Sequence, residues 1–251
     1  MTQEEMLNKE AEFKNSNTYE PFDDVDCTVC KNRGYIAVVK GNYVIEEECN
    51  CMKERRANIY LKRSGLSDIA KRYTFENYKQ TEQWQKSINK LALEYVDKDW
   101  KNHWFFIGGQ VGSGKTYICT AITIALMKRG VPGYYMLWQD EIAKLRTLKF
   151  KNDELEDELN KLTNVKVLYI DDLFKTYNGV IDKEDFNLTM NLINIRYKEN
   201  RTTIISTELT LQKIKEIDQA IGGRIFERTT NKYQISITKN DDKDFRFKKG
   251  E

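Results

Sequence analysis

The stretch Gly109-Gln110-Val111-Gly112-Ser113-Gly114-Lys115-Thr116 matches the pattern G-x-x-x-x-G-K-[ST]. Each residue type in it has a chemical reason. Gly109, Gly112 and Gly114 permit the backbone turns that aim consecutive N–H groups at phosphate oxygens, with Ser113 between them. A helix opening near Lys115 adds the positive end of its dipole. Lys115 has the length and charge to reach β- and γ-phosphates, the Thr116 hydroxyl is a Mg²⁺ ligand, and Tyr117 follows in the same nucleotide-binding turn. The motif sits between an apolar run, Trp104-Phe105-Phe106-Ile107, and a helical stretch from about 115 to 129, which is the context it requires.

A second apolar run, VKVLYIDDLF at 165–174, ends in two acids. In a P-loop protein an acid at this point holds Mg²⁺, here Asp171, and the next, Asp172, can polarise an attacking water. Arg224 and Arg228 lie four apart in IGGRIFERT, on one helix face. Spacing leaves two roles open to Arg224: a surface or ion-paired arginine, or a cation offered to a γ-phosphate as charge develops on it. The other chemistry-bearing group is Cys27, Cys30, Cys49 and Cys51, a C-x-x-C and a C-x-C flanking a hairpin pattern at 35–45. Tetrahedral Zn²⁺ takes four thiolates, and such tight turns supply them in pairs. The segment is too short for a core of its own, so a bound metal would supply much of its folding free energy. Disulfides and unconnected thiols are the alternatives. Cys119, on the helix after the glycine loop, reads as an inert buried thiol.

Positioning these residues calls for two parts. Residues 1–64 read as a zinc-binding domain ending in a basic linker helix, MKERRANIYLKR. Residues 65–251 alternate strands with helices: strands near 104–107, 133–138, 165–170, 202–206 and 233–238, and helices near 82–98, 115–129, 139–147, 153–162, 183–199, 210–217 and 218–228. That alternation predicts an α/β fold with a parallel sheet. Asp182 is the expected N-cap of the 183–199 helix, with Phe186, Met190, Ile193 and Tyr197 on its apolar face.

Composition narrows the classes. The chain has 251 residues, 40% apolar and 32% charged, with 13 Gly and 2 Pro, which is globular rather than disordered. Its 41 basic and 39 acidic residues leave +2, so overall charge does not announce nucleic acid. One histidine, His103, excludes multi-His metal sites and makes His-based triads untenable. No run reaches the roughly 18 apolar residues of a membrane span, so no membrane partner is expected. The polar, acidic N-terminus lacks the pattern of a secretory signal, and the expected location is cytoplasmic.

From about Cys27 to Thr238 the ordered set resembles the replicative helicase loaders of the DnaC/DnaI type, bacterial or phage, within the AAA+ ATPases. The segments that carry it are CNCMKERRANIYLKRSGL (49–66), RYTFENY (72–78), GQVGSGKT, YIDDL (169–173), NIRYKENRTTIISTEL (194–209) and IGGRIFERT (221–229). The resemblance implies an AAA+ core with a five-stranded parallel sheet flanked by helices, preceded by a small four-cysteine zinc ribbon. It implies ATP, with Lys115 and Thr116 as Walker A contacts and Asp171 and Asp172 as Walker B, Mg²⁺ on Thr116 and Asp171, and Zn²⁺ on the four cysteines. It places Arg224 as an arginine finger toward a neighbouring subunit's ATP, with Arg228 second to it. It implies ATP hydrolysis, weak unless subunits assemble, and loading of a hexameric DnaB-type helicase onto single-stranded DNA in replication.

Three departures qualify the match. The second acid at the strand end is Asp rather than Glu. Ser206-Thr207-Glu208 stands where Asn is commoner. The chain ends soon after its last strand, so a full C-terminal helical lid is expected to be absent, with weak self-association until helicase or DNA is bound. The competing readings are an IstB-type transposition helper ATPase, a P-loop kinase with a zinc knuckle, and a zinc-ribbon binding module with a near-silent nucleotide switch. The cysteine ribbon favours the loader. The basic linker helix, Lys/Arg clusters and aromatics motivate a single-strand DNA track.

Overall fold

The computed structural model describes residues 1–21, 23–238 and 244. The chain divides into two compact units: Met1–Ile59 with Lys128–Gly130, and Tyr60–Met127 with the chain from Val131 on.

In the first unit, helix α1 (Gln3–Ser16) opens with a reciprocal cap, Thr2 and Glu5 each bonding the other's backbone. Strands β1 (Tyr35–Lys40) and β2 (Tyr43–Glu48) form an antiparallel hairpin in the register Val38↔Ile45 and Lys40↔Tyr43. The Asn15 side chain bonds both backbone groups of Ala37, each at 2.8 Å, and so ties α1 to β1. Helix α2 (Cys51–Arg63) begins at the last cysteine of the cluster.

The second unit holds the remaining elements. Helix α3 (Gln83–Glu94) continues into a π-helical turn at Tyr95–Asp99. Then come β3 (Phe105–Gly109), α4 (Lys115–Lys128), β4 (Gly133–Leu137), α5 (Trp138–Thr147) and α6 (Asn152–Asn164). They are followed by β5 (Val167–Asp171), α7 (Lys183–Lys198), β6 (Thr202–Thr207), α8 (Leu211–Ile217), α9 (Gln219–Thr229) and β7 (Gln234–Ile237). The strand order is β4-β5-β6-β3-β7, and every pairing in this sheet is parallel. This is the α/β architecture that the strand–helix alternation predicts.

Both faces of the sheet are covered, so the inner strands β3 and β5 are largely apolar rather than alternating, while the equally buried β6 adds the hydroxyls of Thr202, Thr203, Ser206 and Thr207 to its two isoleucines. In β5, Val167 and Tyr169 pack on the face carrying Ile118, Ile122 and Leu126 of α4. Leu168 and Ile170 pack on the opposite face with Leu192 and Ile193 of α7 and Ile221 and Ile225 of α9.

Helix α7 corrects one expectation. Asp182 does cap it, accepting from the Glu184 N–H at 2.8 Å, but its fully buried stripe is Thr189, Leu192, Ile193 and Arg196. Of the expected face only Ile193 is fully buried, while Phe186, Met190 and Tyr197 lie at its margin. The reason is polar. Arg196 donates to the carbonyls of Leu162 (2.7 Å), Thr163 (3.1 Å) and Val165 (3.0 Å) at the end of α6, to that of Thr202, and to the Thr203 hydroxyl (2.9 Å). A helix C-terminus presents unpaired carbonyls, and a buried guanidinium satisfies several at once.

The expected absence of a full C-terminal lid concerns the segment after β7, which apart from Thr238 and Asp244 lies outside the described residues. Among the described residues no helix is long and apolar enough to cross a membrane.

Candidate phosphate-binding and metal sites

In a parallel sheet with crossover helices, the carboxyl ends of the strands share one rim, and that rim is where open α/β sheets bind ligands. The glycine loop leaves the end of β3, and the two aspartates leave the end of β5. Strand β6 lies between these two strands, so its last residues border both.

The loop is shaped by its glycines. Gly109 has φ 109°, and a Cβ there would collide with the Ile237 carbonyl oxygen of β7, so the edge strand packs where no side chain fits. Gly112 and Gly114 take φ 71° and 85°, the left-handed region that turns successive N–H groups to one side. The Ser113 hydroxyl is buried and donates to the Gln110 carbonyl at 2.7 Å, bracing the turn. Lys115, the first residue of α4, is only 6% exposed. Its ammonium donates to the carbonyls of Gln110 (2.6 Å) and Gly109 (3.1 Å). Burial lowers its pKa, opposed by the nearby charges of Glu208 and Asp172. A buried ammonium bonded only to loop carbonyls, beside turned-in N–H groups, fits an anionic phosphate.

Thr116 and Asp171 meet directly: the Thr116 hydroxyl donates to Asp171 Oδ1 at 3.0 Å. Asp171 is 3% exposed and is held by three further hydroxyls, those of Tyr169 (2.7 Å), Tyr135 (3.1 Å) and Ser206. This is a hard-oxygen donor set of the kind Mg²⁺ takes, with its orientation fixed from behind. Burial raises the pKa of both tyrosines, so they remain hydrogen-bond donors.

Beyond Asp171 the backbone makes a strained turn. Asp172 and Phe174 have φ 54° and 62°, a conformation that costs non-glycine residues about 1–3 kcal/mol each. Strand β6 pins this turn. Ser206 Oγ accepts from the Asp172 N–H at 3.3 Å, the Ser206 carbonyl accepts from the Leu173 N–H at 2.9 Å, and the Thr207 hydroxyl donates to the Leu173 carbonyl at 2.6 Å. Phe174 is buried against Trp138 and Phe186. The turn brings Lys175 back over the loop, where its ammonium pairs with Asp172 Oδ2 (2.9 Å) and Glu208 Oε1 (2.8 Å). A cavity of about 180 Å³ is lined by residues 111–116 with Asp172, Lys175 and Glu208. A wider hollow of about 730 Å³ beside α8 and α9 lacks any comparable convergence of charged groups around a glycine turn.

Gly112, Ser113, Gly114, Lys115, Thr116 and Asp172 thus line one cavity, with Gly109 at its root and Asp171 behind it. Tyr117 and Arg224 do not line it. The Tyr117 hydroxyl donates to the carbonyls of Arg72 (2.7 Å) and Thr74 (3.2 Å), and its ring stacks on Tyr73 at 4.7 Å. The Arg224 guanidinium lies over the Tyr197 ring at 5.7 Å, and its Nη1 is buried with no hydrogen-bond partner among the described residues. Arg228 bonds the Asn200 side chain at 3.0 Å. Lys175, Glu208, Tyr135 and Tyr169 are members of the site that motif reading passed over. The available signal was their position: each lies on or just beyond β4, β5 or β6 near the shared rim.

In the first unit the four cysteine sulfurs lie within 4.8 Å of one another, with Cys27–Cys49 at 3.8 Å and Cys30–Cys51 at 3.5 Å. Disulfides require about 2.05 Å, whereas four thiolates at about 2.3 Å from a tetrahedral Zn²⁺ stand roughly 3.8 Å apart. The cluster therefore fits a metal. After the first pair, Lys31 and Asn32 adopt φ 49° and 67°, folding the C-x-x-C turn back on itself. Asn32 is buried, accepts from the Cys27 N–H at 2.8 Å and donates to the Tyr19 carbonyl at 3.0 Å. A hydrogen bond from the Cys30 backbone holds the Cys27 thiol down near 7, whereas burial pushes Cys51 up to about 12.

Arg55 corrects the reading of α2 as a solvent-facing cationic track. It is 1% exposed and donates to Asp23, to the Val25 carbonyl (2.8 Å) and to Asn32 (3.1 Å), while Arg56 pairs with Glu48. Two of the five linker cations therefore serve the first unit's own packing. Cys119 is fully buried, and burial pushes its thiol well above the ordinary value, as suits an inert core residue.

Comparison with known proteins shows the family. The family described as IstB-like ATP binding protein matches residues 25–250, and the chain belongs to that family. It is 32% identical over 214 residues to the phage-like element PBSX protein XkdC of Bacillus subtilis, covering 80% of this chain and 79% of that one. It is 27% identical over 187 residues to the replicative helicase loader DnaC of Escherichia coli K12, covering 73% and 72%. The crystal structure of the DnaC helicase loader superposes with a TM-score of 0.53 at 23% identity, covering 68% of this chain and 99% of that one, which supports the fold.

Proposed function

We propose that this chain is an ATP-dependent loader that binds a hexameric DnaB-type replicative helicase and delivers it onto single-stranded DNA. The observation that carries this is the pairing of a DnaC-like ATPase core with a separate four-cysteine unit. In this reading the turned-in N–H groups of 109–114 and the Lys115 ammonium hold the triphosphate of ATP. Thr116 and Asp171 hold Mg²⁺, and Asp172 orients the attacking water. Arg224 acts in trans on a neighbouring subunit's ATP, which suits a guanidinium outside its own phosphate cavity and without an acidic partner among the described residues. Zn²⁺ on Cys27, Cys30, Cys49 and Cys51 fixes the fold of a helicase-binding unit spanning about residues 1–64, and residues 65–251 form the ATPase domain.

Single-stranded DNA needs cations with exposed stacking faces. Phe150 and Tyr177 are 92% and 97% exposed, and Lys149 lies over the Phe150 ring. They are better candidates than α2, whose Arg55 is buried.

The test is light scattering after size exclusion, mixing the protein with the replicative helicase of its source, with and without ATP, and repeating with Arg224→Ala. The expected result is a complex of several loaders per hexamer, with Arg224→Ala lowering ATP turnover in that complex by on the order of 10³. The family description favours one competitor, an IstB-type transposition helper. No complex with the helicase under any condition, together with binding to a transposase on duplex DNA, would establish that reading instead.

A further inference from the structure

The phosphate cavity contains an arrangement that neither Mg²⁺ coordination nor the glycine loop requires. Asp172, the acid placed to polarise water, is not free: its Oδ2 accepts from Lys175 at 2.9 Å. The same ammonium is held from the other side by Glu208 at 2.8 Å. A carboxylate oxygen occupied by a lysine is not available to orient water, and Glu208 by itself would repel a phosphate. The pinned turn from Asp172 to Phe174 nevertheless holds all three charged groups at the mouth of the glycine loop.

We propose that Lys175 is the residue that distinguishes a nucleoside triphosphate from a diphosphate in this cavity. Held by Glu208, it leaves Asp172 for the terminal phosphate and thereby frees the Asp172 carboxylate. The inference rests on the ATP-binding reading and assigns that site its selectivity.

Three features support it. First, Lys175 has three N–H donors and two carboxylate partners, and its side chain is 40% exposed, so it can change partners without leaving a buried group unsatisfied. Second, Lys175 is a further cation in the cavity beside Lys115, whose ammonium is bonded to the carbonyls at the root of the loop. The loop's N–H groups cradle the inner phosphates and its lysine spans the β- and γ-phosphates, so a second cation at the cavity mouth adds a contact that only a triphosphate makes. Third, exchanging a carboxylate for a phosphate oxygen on Lys175 keeps its ammonium paired throughout. Glu208 then orients Lys175, which explains an acid where a phosphate is to bind.

Calorimetric titration of the full-length protein with Mg²⁺ and either ADP or a non-hydrolysable ATP analogue tests this. The variants are Lys175→Met, Lys175→Arg and Glu208→Gln, each checked for an unchanged thermal transition. Lys175→Met is expected to weaken the triphosphate analogue about tenfold, the loss of one charge-assisted hydrogen bond, while ADP affinity stays within about twofold. Lys175→Arg should restore most of the difference, and Glu208→Gln should lose part of it. Equal losses for both nucleotides, or an unchanged ratio in Lys175→Met, would overturn the proposal. If Lys175→Met does not fold, an unchanged ratio in Glu208→Gln does so. Failure of the unaltered protein to bind either nucleotide would instead remove the ATP-binding reading beneath it.

Discussion

The two units of this chain are stabilised by different means, and each has a buried arginine that shows how. Among the described residues of the first unit the buried apolar ones are small: Ala11, Val25, Ala37 and Ala57, with the thiols of Cys30 and Cys49 among them. Among the described residues its largest fully buried side chain is Arg55, held by an acid, Asp23. The second unit buries Trp104, Trp138, Tyr169, Phe105 and Phe106 on two faces of a sheet, and there Arg196 is held by carbonyls and a hydroxyl. Apolar burial contributes about 25 cal/mol per Å², so the second unit has ample driving force and the first has little. Small domains in that position depend on a metal or disulfides, and the sulfur spacing supports a metal.

Metal removal should therefore separate the units most sharply. Structural Zn²⁺ contributes on the order of 10 kcal/mol to a folded unit of this kind. A strong chelator, or the double variant Cys30→Ser and Cys49→Ser, is expected to make residues 1–59 protease-sensitive while the core keeps its thermal transition. Metal content by mass spectrometry before and after chelation identifies the ion. Loss of the core transition together with the first unit would break the comparison, as would a first unit that resists protease after the metal is gone.

The buried arginines give the next largest effect. Arg196→Met removes the donor to four backbone carbonyls and one hydroxyl, and unpaired buried polar groups cost about 1–3 kcal/mol each. Partial solvation should limit the total to about 3–5 kcal/mol, read as a fall in the urea midpoint of the core. Arg55→Met should leave that midpoint alone and weaken only the first unit, by stranding Asp23 and Asn32. If Arg55→Met shifted the core midpoint as far as Arg196→Met does, the two units would share one cooperative transition.

Much of this arrangement was legible in the sequence, for a physical reason. The glycine loop and the cysteine pairs are local motifs: their residues are near neighbours in the chain and each constrains its own backbone. The parallel sheet was legible because strands buried on both faces are continuous apolar runs, as in Phe105-Phe106-Ile107 and Val167-Leu168-Tyr169-Ile170. What escaped depends on neighbours distant in sequence. Tyr135, Ser206 and Glu208 join the site because β4, β5 and β6 end on one rim, and no spacing along the chain records which strands are adjacent. Arg55 reads as one more cation of a basic helix because its partners lie 23–32 residues away, and those of Arg196 lie up to 34 away. Lys175, three residues past Asp172, is local, but its direction depends on two left-handed residues that carry no glycine to announce them.

The smallest effect concerns the hydroxyls behind Asp171 and sharpens the comparison at the level of metal sites. The four cysteines would bind a metal directly with no substitute among the described residues, whereas Asp171 is oriented by four separate hydroxyls, so the loss of any one should be partly absorbed by the rest. Ser206 makes two of the contacts that matter, donating to Asp171 and accepting from the Asp172 N–H. Tyr135 makes one, at 3.1 Å to the other carboxylate oxygen. Outer-shell partners of metal ligands typically contribute 10–100-fold in affinity. Ser206→Ala should accordingly weaken Mg²⁺-dependent nucleotide binding about tenfold and Tyr135→Phe only about threefold, measured by titrating Mg²⁺ at fixed nucleotide. The order follows from geometry. Removing Ser206 loosens both the carboxylate and the strained turn, whereas removing the Tyr135 hydroxyl leaves Oδ1 still held by Thr116, Tyr169 and Ser206. A larger loss in Tyr135→Phe than in Ser206→Ala would mean that Oδ2 is the oxygen that meets the metal.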